Sequence, residues 1–168
     1  MDILYGVEAS NQLEEMDDFK DLLQKETNIF FQNDLLYIYQ YVDDALLAKE
    51  LLNIGTAYEA NHELLYIHKY KQGELFFDYG IQKTDDEAFL FKEMIAAYYY
   101  EKGEQTAQQM AQFEIDEYLI AVTYESERPI YFVPQQHVQF IIRLVKAYAI
   151  EVSFLHLDKS KKKKTDKI

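Results

Sequence analysis

The stretch from Tyr118 to Leu157 constrains the fold most, because its hydrophobic period changes twice within forty residues. Tyr118, Leu119, Ile120, Ala121, Val122, Thr123 and Tyr124 are apolar or aromatic at both odd and even positions, the pattern of a strand buried on both faces. Glu125, Ser126, Glu127 and Arg128 interrupt it, and Ile130, Tyr131, Phe132 and Val133 resume it. The economical reading is a hairpin with a loop of about four residues, with Pro129 at the first position of the second strand. Pro134 then suits the first turn of a helix. Val138, Ile141, Ile142, Val145, Tyr148 and Ala149 follow at helical spacing, and Ile150, Val152 and Phe154 alternate as a return strand.

The remainder extends this α+β pattern. Ser10 or Asn11 is a fair N-cap for a helix through Leu13, Met16, Phe19 and Leu23, whose first turns carry Asp17 and Asp18 where the helix dipole favours them. Asn33 can cap a second helix from Asp34 to about Asn53, closed by Gly55, and that helix is apolar on more than one side. Leu64–Tyr70 and Leu75–Ile81 read as a second hairpin around Gly73. Thr84 and Glu87 have the spacing of a capping box, which predicts a helix through Phe91, Met94, Ile95 and Tyr98 to Lys102, stopped by Gly103. A short polar helix follows from Glu104 to Phe113. Met1–Ser10 is a strand or an ordered arm.

The expected architecture is a largely antiparallel sheet of two hairpins plus a C-terminal strand. About five helices pack with it, two of them N-terminal. An all-α repeat is the alternative, prompted by the pairs Ala57-Tyr58, Ala97-Tyr98 and Ala147-Tyr148. Their separations of 40 and 50 residues do not define one period. Residues 1–157 are expected to form one acidic domain, and residues 158–168 a Lys-rich, disordered tail.

Charge and composition narrow the function. The net charge is −13, and Asp158–Ile168 alone holds six Lys and two Asp, so residues 1–157 carry −17. A body so acidic opposes direct binding to duplex DNA and steers basic partners toward itself. There is no cysteine, which excludes a disulfide framework, thiol catalysis and cysteine-ligated metal. No basic leader opens the chain and no apolar run is long enough to span a bilayer, so a cytoplasmic protein is expected.

No phosphate-binding glycine loop and no nucleophile elbow occurs. His62 and His68 are six residues apart, about 20 Å along a strand, too far to share a metal. No catalytic, cofactor-binding or metal-binding residues are assigned. The adjacent acids Asp17-Asp18 and Asp43-Asp44, with Tyr99 and Tyr100 from a heavy aromatic load of 15 Tyr and 11 Phe, are the candidate partner-binding residues.

The expected function is a non-enzymatic acidic module that engages a basic protein. Its concrete versions are an immunity protein or antitoxin, or a nucleic-acid-mimic inhibitor from a mobile element; a homo-oligomer is compatible with either. The alternative is a small hydrolase or nuclease whose carboxylates converge only in the fold.

Overall fold

The computed structural model describes residues 1–158; the Lys-rich run beyond them, expected to be a disordered tail, lies outside the described residues. The chain is α+β, with five α-helices and eleven strands among the described residues, and the all-helical alternative is overturned. Two compact units divide between Tyr66 and Ile67.

The first unit contains β1 (Asp2–Ala9), α1 (Asp17–Glu26), β2 (Ile29–Asn33), β3 (Leu36–Tyr39), α2 (Val42–Ile54) and most of β4 (Tyr58–His68). A 3-10 turn, Asn11–Glu15, precedes α1. The strands lie in the order β2-β3-β1-β4, and the β2–β3, β1–β3 and β1–β4 pairs are all antiparallel. Leu13, Leu23, Tyr39, Ala48 and Leu52 form a fully enclosed core between helices and sheet. Each buried leucine there contributes about 1.5–3 kcal/mol.

The second unit contains β5 (Lys71–Gln72), α3 (Phe76–Tyr79), β6 (Gly80–Thr84), β7 (Glu87–Phe91), β8 (Ile95–Lys102) and α4 (Gln105–Ile115). β9 (Ala121–Glu125), β10 (Arg128–Pro134), α5 (Val138–Ala147) and β11 (Glu151–Phe154) complete it. β6 and β7 form an antiparallel hairpin. A five-stranded sheet runs β11-β8-β10-β9-β5.

The succession β8-α4-β9-β10-α5-β11 repeats that of β1-α1-β2-β3-α2-β4, the β-α-β-β-α-β run of ferredoxin-like folds. In each set the strands lie in the spatial order fourth, first, third, second. Even the helix ends agree. Thr56 and Ala149 both have positive φ, 55° in each case. The N–H of Ala57 bonds to Leu52 O at 2.8 Å and that of Ile150 to Val145 O at 3.0 Å. Both α2 and α5 therefore end in a Schellman motif. The chain therefore contains the same supersecondary unit twice, with β5, α3, β6 and β7 between the two copies.

Several elements differ from the sequence-based expectation. The hairpin over 118–133 is present, but its first strand starts at Ala121 after a 3-10 turn, and Tyr124 is 49% exposed. Its loop is two residues long, Ser126 and Glu127, both at positive φ as a type I′ turn requires. Leu36–Tyr39 is a fully buried strand, so the expected helix from Asp34 begins only at Val42. The segment from Leu75 divides into α3 and β6 where one strand was expected.

The largest correction concerns residues 84–102, which are strands β7 and β8 instead of a helix. Thr84 and Glu87 close the β6–β7 turn: the Thr84 hydroxyl accepts from the Asp86 N–H at 3.3 Å. Aromatic residues at Tyr98, Tyr99 and Tyr100 favour the pleated surface, and pairing on both sides of β8 decides it. Gly103 ends this strand at φ +124°, where a Cβ would come within 2.3 Å of Ile150 Cγ2.

Candidate functional site

The alternation of a strand places Tyr98 and Tyr100 on one face of β8 and Tyr99 on the other. Tyr99 lies under Arg128, whose guanidinium is 4.4 Å from the ring centroid, and its hydroxyl donates to Glu101 Oε1 at 3.3 Å. Tyr98 and Tyr100 turn toward α4, joined by Tyr131 of β10. Tyr98 stacks on Tyr131 with centroids 5.3 Å apart, and Tyr100 stands edge-on to both, at 5.8 and 5.6 Å.

α4 meets this aromatic floor with a mixed face. Ala111 and Ile115 are fully buried, while Gln108 and Gln112, one turn apart, bring amides to the same side. Gln112 Oε1 accepts from the Tyr98 hydroxyl and from the Tyr100 hydroxyl, each at 2.9 Å. Its Nε2 donates to Asp116 Oδ1 at 2.8 Å. The carboxylate at one end fixes the amide orientation, since it can only accept.

A cavity of about 380 Å³ opens between α4 and the sheet, lined by Tyr100, Tyr131, Asp116, Phe113 and the glutamines at 105, 108, 109 and 112. Among the described residues, no cationic side chain lines it. Phe113 at its rim is 79% exposed and Met110, one turn earlier on α4, is 54% exposed.

The phenols are held neutral. Burial, reinforced by the neighbouring Tyr100, pushes the Tyr98 hydroxyl well above its ordinary value. Burial first, with the negative charge of Asp116 among the lesser contributions, raises Tyr100 and Tyr131 as well. The hydroxyl hydrogens of Tyr98 and Tyr100 are committed to Gln112, and one amide N–H of Gln112 is committed to Asp116. The wall of the pocket therefore presents the Tyr100 oxygen and the Asp116 carboxylate as acceptors, beside the Tyr131 phenol and glutamine amides that can donate or accept.

The sequence-derived candidates do not form one site. Asp17 and Asp18 are exposed at the start of α1, and Asp17 pairs with Lys20 at 3.4 Å. Asp43 is exposed at the start of α2, beside a shallow depression with Leu46, Leu47 and Lys49. Asp44 turns inward, is only 3% exposed, and accepts from the Asn28 N–H at 3.4 Å. Tyr99 and Tyr100 occupy opposite faces of β8, and only Tyr100 lines the pocket.

Gln112, Phe113, Asp116 and Tyr131 were not singled out from sequence. The available signal was the alternation of Tyr98 and Tyr100 followed closely by glutamines at 105, 108, 109 and 112.

The histidines are dispersed. His62 Nε2 lies 2.8 Å from Glu8, His68 lies 4.0 Å from Glu87, and His137 packs on Tyr118 at 4.3 Å. Among the described residues, no group of three or more His, Asp or Glu side chains is arranged to hold a metal ion. No helix among them is long and apolar enough to cross a membrane. Comparison with known families finds no matching family model, and comparison with curated proteins finds no match.

Proposed function

We propose that this chain is a protein-binding module that takes a basic partner on the outer face of α4. One observation carries the reading: of an exposed apolar pair on α4, Met110 and Phe113, the second lies at the rim of a pocket in which Asp116 is the one charged side chain among the described lining residues. Interfaces concentrate their binding energy in aromatic anchors of this kind, ringed by polar residues. Glu114 and Glu117 are exposed on the same stretch of chain, and the charge of −17 on residues 1–157 extends the negative field.

Charge complementarity favours a basic protein over a second copy, because like-charged bodies repel as they approach. Asp17, Asp18 and Asp43 add long-range attraction from their exposed positions. Asp44 contributes through the fold, since it is buried. Immunity-type or nucleic-acid-mimic inhibition is a use of such a face that the partner's identity decides.

The test is to recover the native partner with the full-length chain, identify it by mass spectrometry, and measure association against ionic strength. The expected result is a basic partner whose on-rate falls as salt rises and whose off-rate rises with Phe113→Asp. Asp17→Asn with Asp18→Asn, and separately Asp43→Asn, should lower the on-rate modestly while the fold survives. Association indifferent to salt and to Phe113→Asp overturns the reading.

A further inference from the structure

We infer that the pocket between α4 and the sheet is a receptor for a single arginine side chain of the partner. The inference rests on the basic-partner reading and specifies the group that enters the pocket.

Three features select a guanidinium. The first is the direction of the hydrogen bonds. Tyr98 and Tyr100 both donate to Gln112, and Gln112 donates to Asp116. With its hydrogen used on Gln112, Tyr100 keeps lone pairs toward the cavity beside the carboxylate oxygens of exposed Asp116, and Asp116 is the one charged side chain among the described lining residues, so the favoured complement is a cationic donor. Arg and Lys combine donors, no acceptor and a positive charge that matches the carboxylate.

The second is the aromatic lining. Tyr100, Tyr131 and Phe113 offer ring faces and edges around the cavity, and a cation over such rings gains about 0.5–2 kcal/mol. The protein already uses this pairing on the opposite face of the same strand, where the Arg128 guanidinium sits 4.4 Å over Tyr99.

The third feature separates arginine from lysine. The acceptors are spread along the wall from Tyr100 to Asp116, with glutamine amides between them. A planar fork of five N–H donors reaches several such groups at once, and its weaker hydration lets it enter between rings; a compact ammonium with three donors does so less well. The cavity, at about 380 Å³, is within the range of about 300–1,000 Å³ typical of ligand pockets.

The experiment titrates N-acetyl-arginine amide into the ¹⁵N-labelled full-length chain and follows backbone amide shifts. Saturable shifts are expected at Tyr100, Gln112 and Asp116. N-acetyl-citrulline amide keeps the shape without the charge and should bind about tenfold more weakly, the scale of losing one charge-assisted contact. N-acetyl-lysine amide should also be several-fold weaker. Asp116→Asn should weaken the arginine response about tenfold, and Tyr100→Phe, which keeps the ring and loses the acceptor, should weaken it less.

Absent or non-saturating shifts in the pocket overturn the inference, as does equal binding of the citrulline or lysine probe. The titration needs no partner, so it is separable from the reading it rests on. A basic partner that binds Asp116→Asn with unchanged affinity overturns the arginine receptor alone. Saturable arginine binding beside an acidic native partner supports the receptor and overturns the basic-partner reading.

Discussion

The two halves of the duplication place the same elements at the same point and finish them differently. In the first unit, Tyr5 of β1 pairs with Tyr39 of β3; in the second, Tyr98 of β8 pairs with Tyr131 of β10. Above each pair runs the helix that follows the first strand. In α1 the residue facing inward is Leu23, fully buried, and the C-cap Thr27 donates to Leu23 O at 2.6 Å and meets the Tyr39 hydroxyl at 3.1 Å. In α4 the buried residues are Ala111 and Ile115, half-buried Gln112 reaches the phenols, and the C-cap is the exposed Asp116. One helix seals its sheet with a leucine and a hydroxyl. The other props a glutamine over two phenols and leaves a cavity. Topology fixes where a pocket can form, and two or three side chains decide whether it does.

Exchanging those side chains is the strongest way to break the comparison. Leu23→Gln puts an amide into the sealed unit, where it loses apolar burial and finds no prepared partners; a loss of about 3 kcal/mol is expected in chemical denaturation. The reverse change, Gln112→Leu, strands the buried Tyr98 hydroxyl and should cost about 1–3 kcal/mol while abolishing the arginine-probe shifts. A Leu23→Gln variant as stable as the parent would mean that the first unit is not sealed.

Glycines sharpen the same contrast. Gly103→Ala should cost about 3 kcal/mol, because φ +124° is a glycine conformation and the new Cβ meets Ile150 Cγ2 at 2.3 Å and Cβ at 2.8 Å. Gly55 in the first unit has φ −82° and a new Cβ would meet the Phe19 ring and the Met16 methyl at about 3 Å. Those are ends of side chains that can shift, so Gly55→Ala should cost only about 1 kcal/mol.

Alkaline titration tests the phenols of both units. Burial raises Tyr39 from 10.0 to about 12 and raises Tyr98 well above its ordinary value. The folded chain therefore holds protons that the unfolded chain releases, and stability falls as pH rises above about 10. Tyr39→Phe should flatten this loss between about pH 10 and 12, read as the midpoint of urea unfolding at each pH. A loss unchanged by Tyr39→Phe would place the titrating group elsewhere.

The smallest effect concerns the shared helix ends. Thr56→Gly and Ala149→Gly relieve a left-handed residue in each Schellman motif, and both should stabilise by up to about 1 kcal/mol. Opposite signs in the two units would break the equivalence of α2 and α5.

Much of this was determined by local pattern. The acidic charge, the absence of cysteine, the hairpin around Ser126-Glu127, α4, α5 and β11 all follow from residue type and short-range period, and the fold class follows from them. Residues 84–102 went the other way. Phe91, Met94, Ile95 and Tyr98 match a helical spacing, and a threonine three residues before a glutamate matches a cap, yet pairing of β8 with β10 and β11 outweighs both. Strand pairing is a contact between distant segments, and no short window records it.

The duplication was hidden for a related reason: a β-α-β-β-α-β unit demands a pattern of burial, not particular residues, so Ala48 of α2 and Ile141 of α5 serve alike. The pocket was hidden most completely. Tyr98, Tyr100, Gln112, Asp116 and Tyr131 span 34 residues, from β8 through α4 and its C-cap to β10, and their hydrogen bonds exist only once tertiary packing has brought them within reach of one another.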